Sequence, residues 1–199
     1  MLEGNSESPV SMTTKWDGAP AIIAGRDPET GKFFVGTKGV FAQKPKINFT
    51  EKDINENHPG EGLQQKLKIA LKTLSTLNWN TVAQGDMLFS KEDLQQTNID
   101  GEEVIVFKPN TIVYAVPTNS DLAKQVTSAD IGIVWHTEYV GGPTLADTRA
   151  KYGFDSSVLG QSSKVWHRDA LIKDFSGVVT LTNNESEEVM GAIREADAY

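Results

Sequence analysis

Lys15, Asp17 and Gly18 come first among the residues whose types and spacing could do chemistry. They lie in the run Thr13-Thr14-Lys15-Trp16-Asp17-Gly18-Ala19-Pro20. Asp-Gly is a tight-turn dipeptide, because glycine accepts positive φ without steric cost. Ala19 to Ala24 then reads as an apolar strand. Lys15 is therefore expected at the end of one strand, before a turn into the next, pointing along a sheet face. A lysine held there loses hydration. Desolvation favours the neutral amine, and a neutral amine is a nucleophile.

Two further groups follow. Lys38 lies in Thr37-Lys38-Gly39, at the end of an expected strand. Asp86 lies in Gly85-Asp86-Met87-Leu88-Phe89, where an acid in an apolar strand is costly to bury unless paired. Gly85 marks either a bulge with close backbone approach or a plain turn between two strands.

The bulk numbers bound what such groups could serve. A chain of 199 residues fits one domain with a sizeable core, or a domain plus an appendage, and 38% hydrophobic with 23% charged content is that of a globular protein. The formal net charge of −8 disfavours strong nonspecific nucleic-acid binding by the whole surface. It leaves room for a local basic groove: Lys15 to Lys46 holds six basic residues against three acidic ones. That stretch is either a solvated strand edge or a phosphate-facing patch. With no cysteine, disulfides and thiolate metal sites are excluded. No apolar run reaches membrane-spanning length and the start lacks a signal-peptide core, so a cytoplasmic protein is expected.

The elements that must position these residues read as follows. Residues 1 to 9 are polar and expected to be loose. Val10 to Lys15, Ala21 to Gly25 and Lys32 to Gly36 read as a three-stranded meander. Gln43 to Gly60 is polar with two prolines and reads as a loop or lid. Leu63, Leu67, Ala70, Leu71, Leu74 and Leu77 fall on one helical face and predict a core-packing helix. Glu103 to Phe107 and Thr111 to Val116 predict a hairpin. Ser120 is the expected N-cap of a short helix, and Thr144 with Asp147 predicts another helix ending at Gly153. Val178 to Leu181 reads as a strand and Asn184 to Ala196 as a terminal helix. His136 and Glu138 share a strand face that a metal could use, but no third ligand is indicated.

The ordered triple Lys15-Trp16-Asp17-Gly18, Thr37-Lys38-Gly39 and Gly85-Asp86-Met87-Leu88-Phe89 resembles the covalent nucleotidyltransferase superfamily of ATP-dependent DNA ligases, RNA ligases and mRNA capping enzymes. Its first motif is Lys-x-Asp-Gly. The surroundings of Lys15 are most similar to ligase-related proteins of bacteriophages, which would place the protein in the host cytoplasm. The resemblance runs over residues 10 to 140. It implies an α+β fold of antiparallel sheets with packed helices, forming a single adenylation domain over 1–199. It implies ATP and magnesium as cofactors, and nicked DNA or RNA as the acceptor.

Residue by residue, the resemblance makes Lys15 the nucleophile on the α-phosphate of ATP. Thr13 and Thr14 would lie by the adenine edge, with Trp16 beside them. Asp17 and Gly18 would shape the turn. Lys38 stands for the family's arginine near ribose and phosphates, and Asp86 for its ribose-binding glutamate. Tyr114 would stack on the base. The late motifs have only distant counterparts, in Asp130 to Val134 and in Lys164 and Lys173. The chain is therefore expected to be a fragment. The alternative is a non-catalytic phage structural or binding protein on the same fold.

Overall fold

The computed structural model describes residues 11–170, 172–174 and 182–197. In chain order the strands begin with β1 (Ser11–Thr13), β2 (Ala21–Arg26) and β3 (Phe33–Gly36), followed by helices α1 (Glu51–Asn57) and α2 (Glu61–Leu74). Next come β4 (Val82–Ser90), β5 (Gln95–Ile99), β6 (Glu102–Phe107), β7 (Tyr114–Pro117) and α3 (Asp121–Ser128). The chain closes with β8 (Ile131–Val140), β9 (Arg149–Tyr152), β10 (Val165–Asp169), β11 (Ile172–Asp174) and α4 (Asn183–Asp197). This is the expected α+β class, with largely antiparallel sheets and four α-helices among the described residues.

Two compact units divide the chain, one from Thr14 to Leu171 and a smaller one joining Met1–Thr13 to Ile172–Tyr199. In the smaller unit β1 pairs antiparallel with β11, and α4 follows. Val189, Met190 and Ile193 on α4 are each more than a third exposed.

The larger unit is built on a six-stranded sheet in the order β10-β8-β4-β2-β3, with β9 also paired to β8. All its pairings are antiparallel except β8 with β10. A separate three-stranded sheet runs β5-β6-β7. Ile22, Ile23 and Ala24 are consecutive and all fully buried. Successive side chains on a strand point to opposite faces, so β2 must be covered on both. On one face α2 lays Leu67, Ala70 and Leu74 over Ile22, Ala24, Met87, Ile133 and Trp135. Burying Leu67 and Leu74 is what holds α2 down, at roughly 2 kcal/mol for each side chain. The other face carries two clusters: one around Ile23, Phe34 and Val82, the other around Leu88, Val134, Phe107 and Val126. Between them on β4 lie Gln84 and Asp86, which share the face of Val82 and Leu88 by alternation.

Several expected elements are corrected. The first three strands do not form a meander: β1 pairs with β11, and only β2 and β3 form a hairpin. The polar stretch from Gln43 to Gly60 contains α1, started by a capping box in which Thr50 and Asp53 each bond the other's backbone N–H. Thr144 opens only a 3₁₀ turn, Leu145–Asp147, after which the chain extends as β9. Asp100 and Gly101, both at positive φ, join the unexpected β5 to β6. The expectations for residues 1 to 9 and for Val178 to Leu181 lie outside the described residues.

Candidate functional site

Backbone bonds fix the segment that carries Lys15. Ala19 N donates to Met87 O at 2.9 Å, and Met87 N donates to Pro20 O at 3.1 Å, so β2 is stitched to β4 before its first regular pair. This lays Gly18 directly on Asp86. A Cβ at residue 18 would lie 2.6 Å from Asp86 Cβ and 2.9 Å from Met87 O, closer than real contacts allow. Gly18 does not adopt a positive φ. The expected reason for this glycine is thus corrected: it permits close approach, not a left-handed turn.

Asp17 is a brace. Its carboxylate accepts from Asn110 Nδ2 at 2.9 Å, Thr111 N at 2.6 Å and Ile112 N at 2.7 Å. These are the residues between β6 and β7, so one carboxylate holds the whole connection. The Ile112 amide is the main cause that lowers the Asp17 pKa, helped by the Asn110 amide, the Thr111 amide and the nearby Lys15 ammonium. Asp17 N in turn donates to Tyr114 Oη at 2.9 Å.

Tyr114 packs near-parallel to two aromatic rings, Trp16 at 5.8 Å and 24° and Phe107 at 5.3 Å and 17°. The ring expected to stack on a base is thus engaged by two aromatics, and its hydroxyl anchors residue 17. The row continues from Phe107 to Phe89 at 5.0 Å and from Phe89 to Trp166 at 6.2 Å. Trp16 Nε1 is buried with no acceptor among the described residues.

Lys15 itself is exposed, as is Thr14. The expectation of an amine dried by the protein is corrected: residues 14 to 18 run as irregular chain beyond β1, and Lys15 is open to solvent. Thr13 closes β1, paired with Ile172 in the smaller unit. Lys38 begins the 3₁₀ turn Lys38–Phe41 and is exposed. That turn docks on the Asp86 face of the sheet: Val40 packs with Ile23 and Phe34, and Phe41 lies 4.5 Å from Tyr139. Tyr139 Oη donates to Gln84 Oε1 at 2.7 Å, which links the turn to the floor beside Asp86.

Sequence reasoning set aside one residue that the fold brings in. The β4–β8 register steps from Gln84↔Thr137 to Gly85↔Trp135, which leaves His136 as the extra residue of a β-bulge. The bulge aims His136 Nε2 at Asp86 Oδ1, 3.7 Å away, while Nδ1 lies 2.8 Å from Thr137 Oγ1. Both side chains remain about a quarter exposed. The available signal was Gly85, which leaves room for the Val134 carbonyl and the Trp135 ring. Glu138 instead accepts from Thr81 Oγ1 at 3.0 Å and Lys151 Nζ at 3.4 Å. No three acidic or histidine side chains converge as a metal-ligand set among the described residues.

One face of the sheet therefore gathers Trp16, Asp17, Gly18, Asp86 and Tyr114, with His136 added. Lys15 stands beside them, and Lys38 arrives on the same face through its turn. Among the described residues, neither lysine bonds to Asp86. The face carries a carboxylate–imidazole pair, Asp86 with His136, and the segments of two exposed lysines pack on it. No curated protein and no solved structure matches the chain. The match found is over residues 1–199, and by it the chain belongs to a family of unknown function, DUF6267.

Proposed function

We propose that this protein is an ATP-dependent nucleotidyltransferase of the polynucleotide ligase type, with Lys15 as its nucleophile and an adenylation-domain fold. The observation that carries the reading is the contact between Gly18 and Asp86. It joins the Lys-x-Asp-Gly segment to the Gly85–Phe89 strand, the two elements that such chemistry needs side by side. In this reading Lys15 Nζ attacks the α-phosphorus of ATP, the bond to pyrophosphate breaks, and a lysyl-AMP forms. AMP then passes to a polynucleotide 5′-phosphate. Magnesium would offset charge on the triphosphate. Lys38 would face the phosphates, and Asp86, oriented by His136, the ribose hydroxyls. Asp17 holds the residue 110–112 connection beside the segment that carries the nucleophile. Because Lys15 is exposed, the bound nucleotide has to supply its dehydration.

Intact-mass spectrometry after incubation with ATP and magnesium tests this. The expected result is a gain of one AMP, abolished by Lys15→Ala and kept by Lys32→Ala. Absence of the adduct in the folded full chain discards the enzyme. The exposure of Lys15 and the packing of Tyr114 against Trp16 and Phe107 favour a second reading, a non-catalytic nucleotide- or nucleic-acid-binding protein. That reading expects saturable ATP binding, by calorimetry, with no mass gain.

A further inference from the structure

A second site lies at the far end of the aromatic row. Between α3 and β10 the larger unit holds an open cavity of about 630 Å³. Its polar wall is Gln125, Ser128, Gln161, Ser162, Ser163 and Arg168, with Trp166 behind. The wall contains no carboxylate, in a chain with 27 acidic residues.

Arg168 is held as a fixed plate. Its guanidinium carbon lies 5.3 Å from the centre of the Trp166 ring. Nη1 donates to His167 O at 2.8 Å, and Nη2 donates to Gln125 Oε1 at 3.0 Å. A guanidinium has five N–H donors, so about three stay uncommitted among the described residues. The neighbouring cations are already matched: Lys164 lies 3.7 Å from Asp130, and Lys124 lies 2.8 Å from Asp121. Arg168 has no carboxylate partner among the described residues.

Ser162 and Gln125 add to the same imbalance. Ser162 Oγ accepts from Lys164 N at 3.2 Å, which leaves its O–H to donate. Gln125 has its carbonyl occupied by Arg168, which leaves its NH₂ as the donor it can offer the cavity. Ser128 Oγ donates to Gln125 O at 3.0 Å and so offers the cavity an acceptor, but the guanidinium, the Gln125 NH₂ and the Ser162 O–H leave the wall with an excess of donors and a positive charge. A sugar ring lacks a platform here, because Arg168 covers Trp166 on one side and Phe89 packs near it at 6.2 Å. A small oxyanion, which is all acceptor, matches; a planar guanidinium fork with hydroxyl and amide donors is the chemistry that holds phosphate.

We propose that the Arg168 cavity is a phosphate-binding site, separate from the Lys15 face. The phosphate could be free or carried on a nucleic-acid strand, and the test distinguishes these. In ¹⁵N-labelled full chain, the Trp166 indole N–H and the Ser162 and Ser163 amides are followed by NMR. The probes are sodium phosphate and short oligothymidylates with a 5′-phosphate or a 5′-hydroxyl, at matched ionic strength. The site expects saturable shifts that Arg168→Lys weakens by about tenfold or more, since one charge-assisted hydrogen bond is lost. A response to inorganic phosphate alone assigns a free ion. A response needing the 5′-phosphate assigns a strand end, and equal response to both oligonucleotides assigns backbone phosphates. No saturable shift with any probe overturns the proposal. So do shifts that Arg168→Lys and Ser163→Ala leave unchanged; Ser163→Ala, at an exposed position, decides alone if Arg168→Lys does not fold. Lys15→Ala should titrate like the parent, so the result stands apart from the adenylation reading.

Discussion

Asp17 shows how much one carboxylate can organise. It accepts three donors from residues 110–112 and places its own amide on Tyr114. Asp17→Asn keeps the shape but removes the charge and one acceptor oxygen. The expected result is amide hydrogen exchange at Thr111 and Ile112 rising towards the unprotected rate, with exchange at Met87 unchanged. Acid should act the same way. The Asp17 pKa is lowered in the fold, so its contribution is complete above the unfolded aspartate range, about pH 4. It is lost as pH falls through the depressed folded value. Amide shifts of Thr111 and Ile112 followed between pH 6 and pH 2 should move below pH 4, not at it. This brace was not legible in the chain, because its partners lie more than 90 positions away. What was legible was the choice of residues: Asp17, Gly18 and Asp86 were singled out by type and local pattern, and the fold puts them together. The physical reasons differed. Gly18 is needed for space against Asp86, and Lys15 is not buried.

At the scale of elements, the contact between the 14–20 segment and β4 decides whether the candidate site exists. Gly18→Ala inserts a methyl where the nearest atoms are a Cβ and a carbonyl oxygen, neither of which can rotate away. Overpacking of this kind costs about 1–3 kcal/mol. Chemical denaturation should show that loss, whereas Gly31→Ala, next to open space but at positive φ, should cost only backbone strain. Elements with a strong local pattern were readable: α2 from its leucine spacing, and α3 from Ser120, whose Oγ accepts from Ala123 N at 3.1 Å. Elements set by distant partners were not. The pairing of β1 with β11 joins residues about 160 positions apart, and β9 depends on β8 for its existence. Two signals were present but overlooked, the Thr50–Asp53 capping box and the Asp100-Gly101 turn. The bulge opposite Gly85 was legible only as one of two readings of that glycine, and that His136 is its extra residue was not, because this comes from the register between two strands.

For the whole molecule, two buried histidines shape the response to mild acid, above the range in which the carboxylates act. His58 is buried and lies 3.2 Å from the Asn48 side-chain amide through Nε2. His167 is buried, with Nε2 2.9 Å from Gly160 O. Burial is the main cause that lowers both pKa values; Lys46 adds to it at His58, while the Gly160 carbonyl opposes it at His167. Lowered folded values mean that the unfolded chain binds protons first. Stability should therefore be full above about pH 6.5 and fall as pH drops below it, until the folded values are reached. Urea midpoints measured from pH 7.5 to pH 5 should show that slope. Replacing both residues with glutamine should flatten it, whatever it does to the midpoint at pH 7.5. The charge of −8 remains consistent with phosphate recognition only at local sites such as Arg168, and not with a broadly basic surface.

The four tryptophans give the protein two separate optical reporters. Trp79 and Trp135 lie edge to face at 5.4 Å on the α2 side of the sheet, so their coupled near-ultraviolet circular dichroism follows the integrity of the core. Trp16 and Trp166 sit at the two ends of the aromatic row on the opposite face, one beside Lys15 and the other under Arg168. Variants that keep only one of this second pair would let emission report each end by itself, with the first pair as the internal gauge of folding.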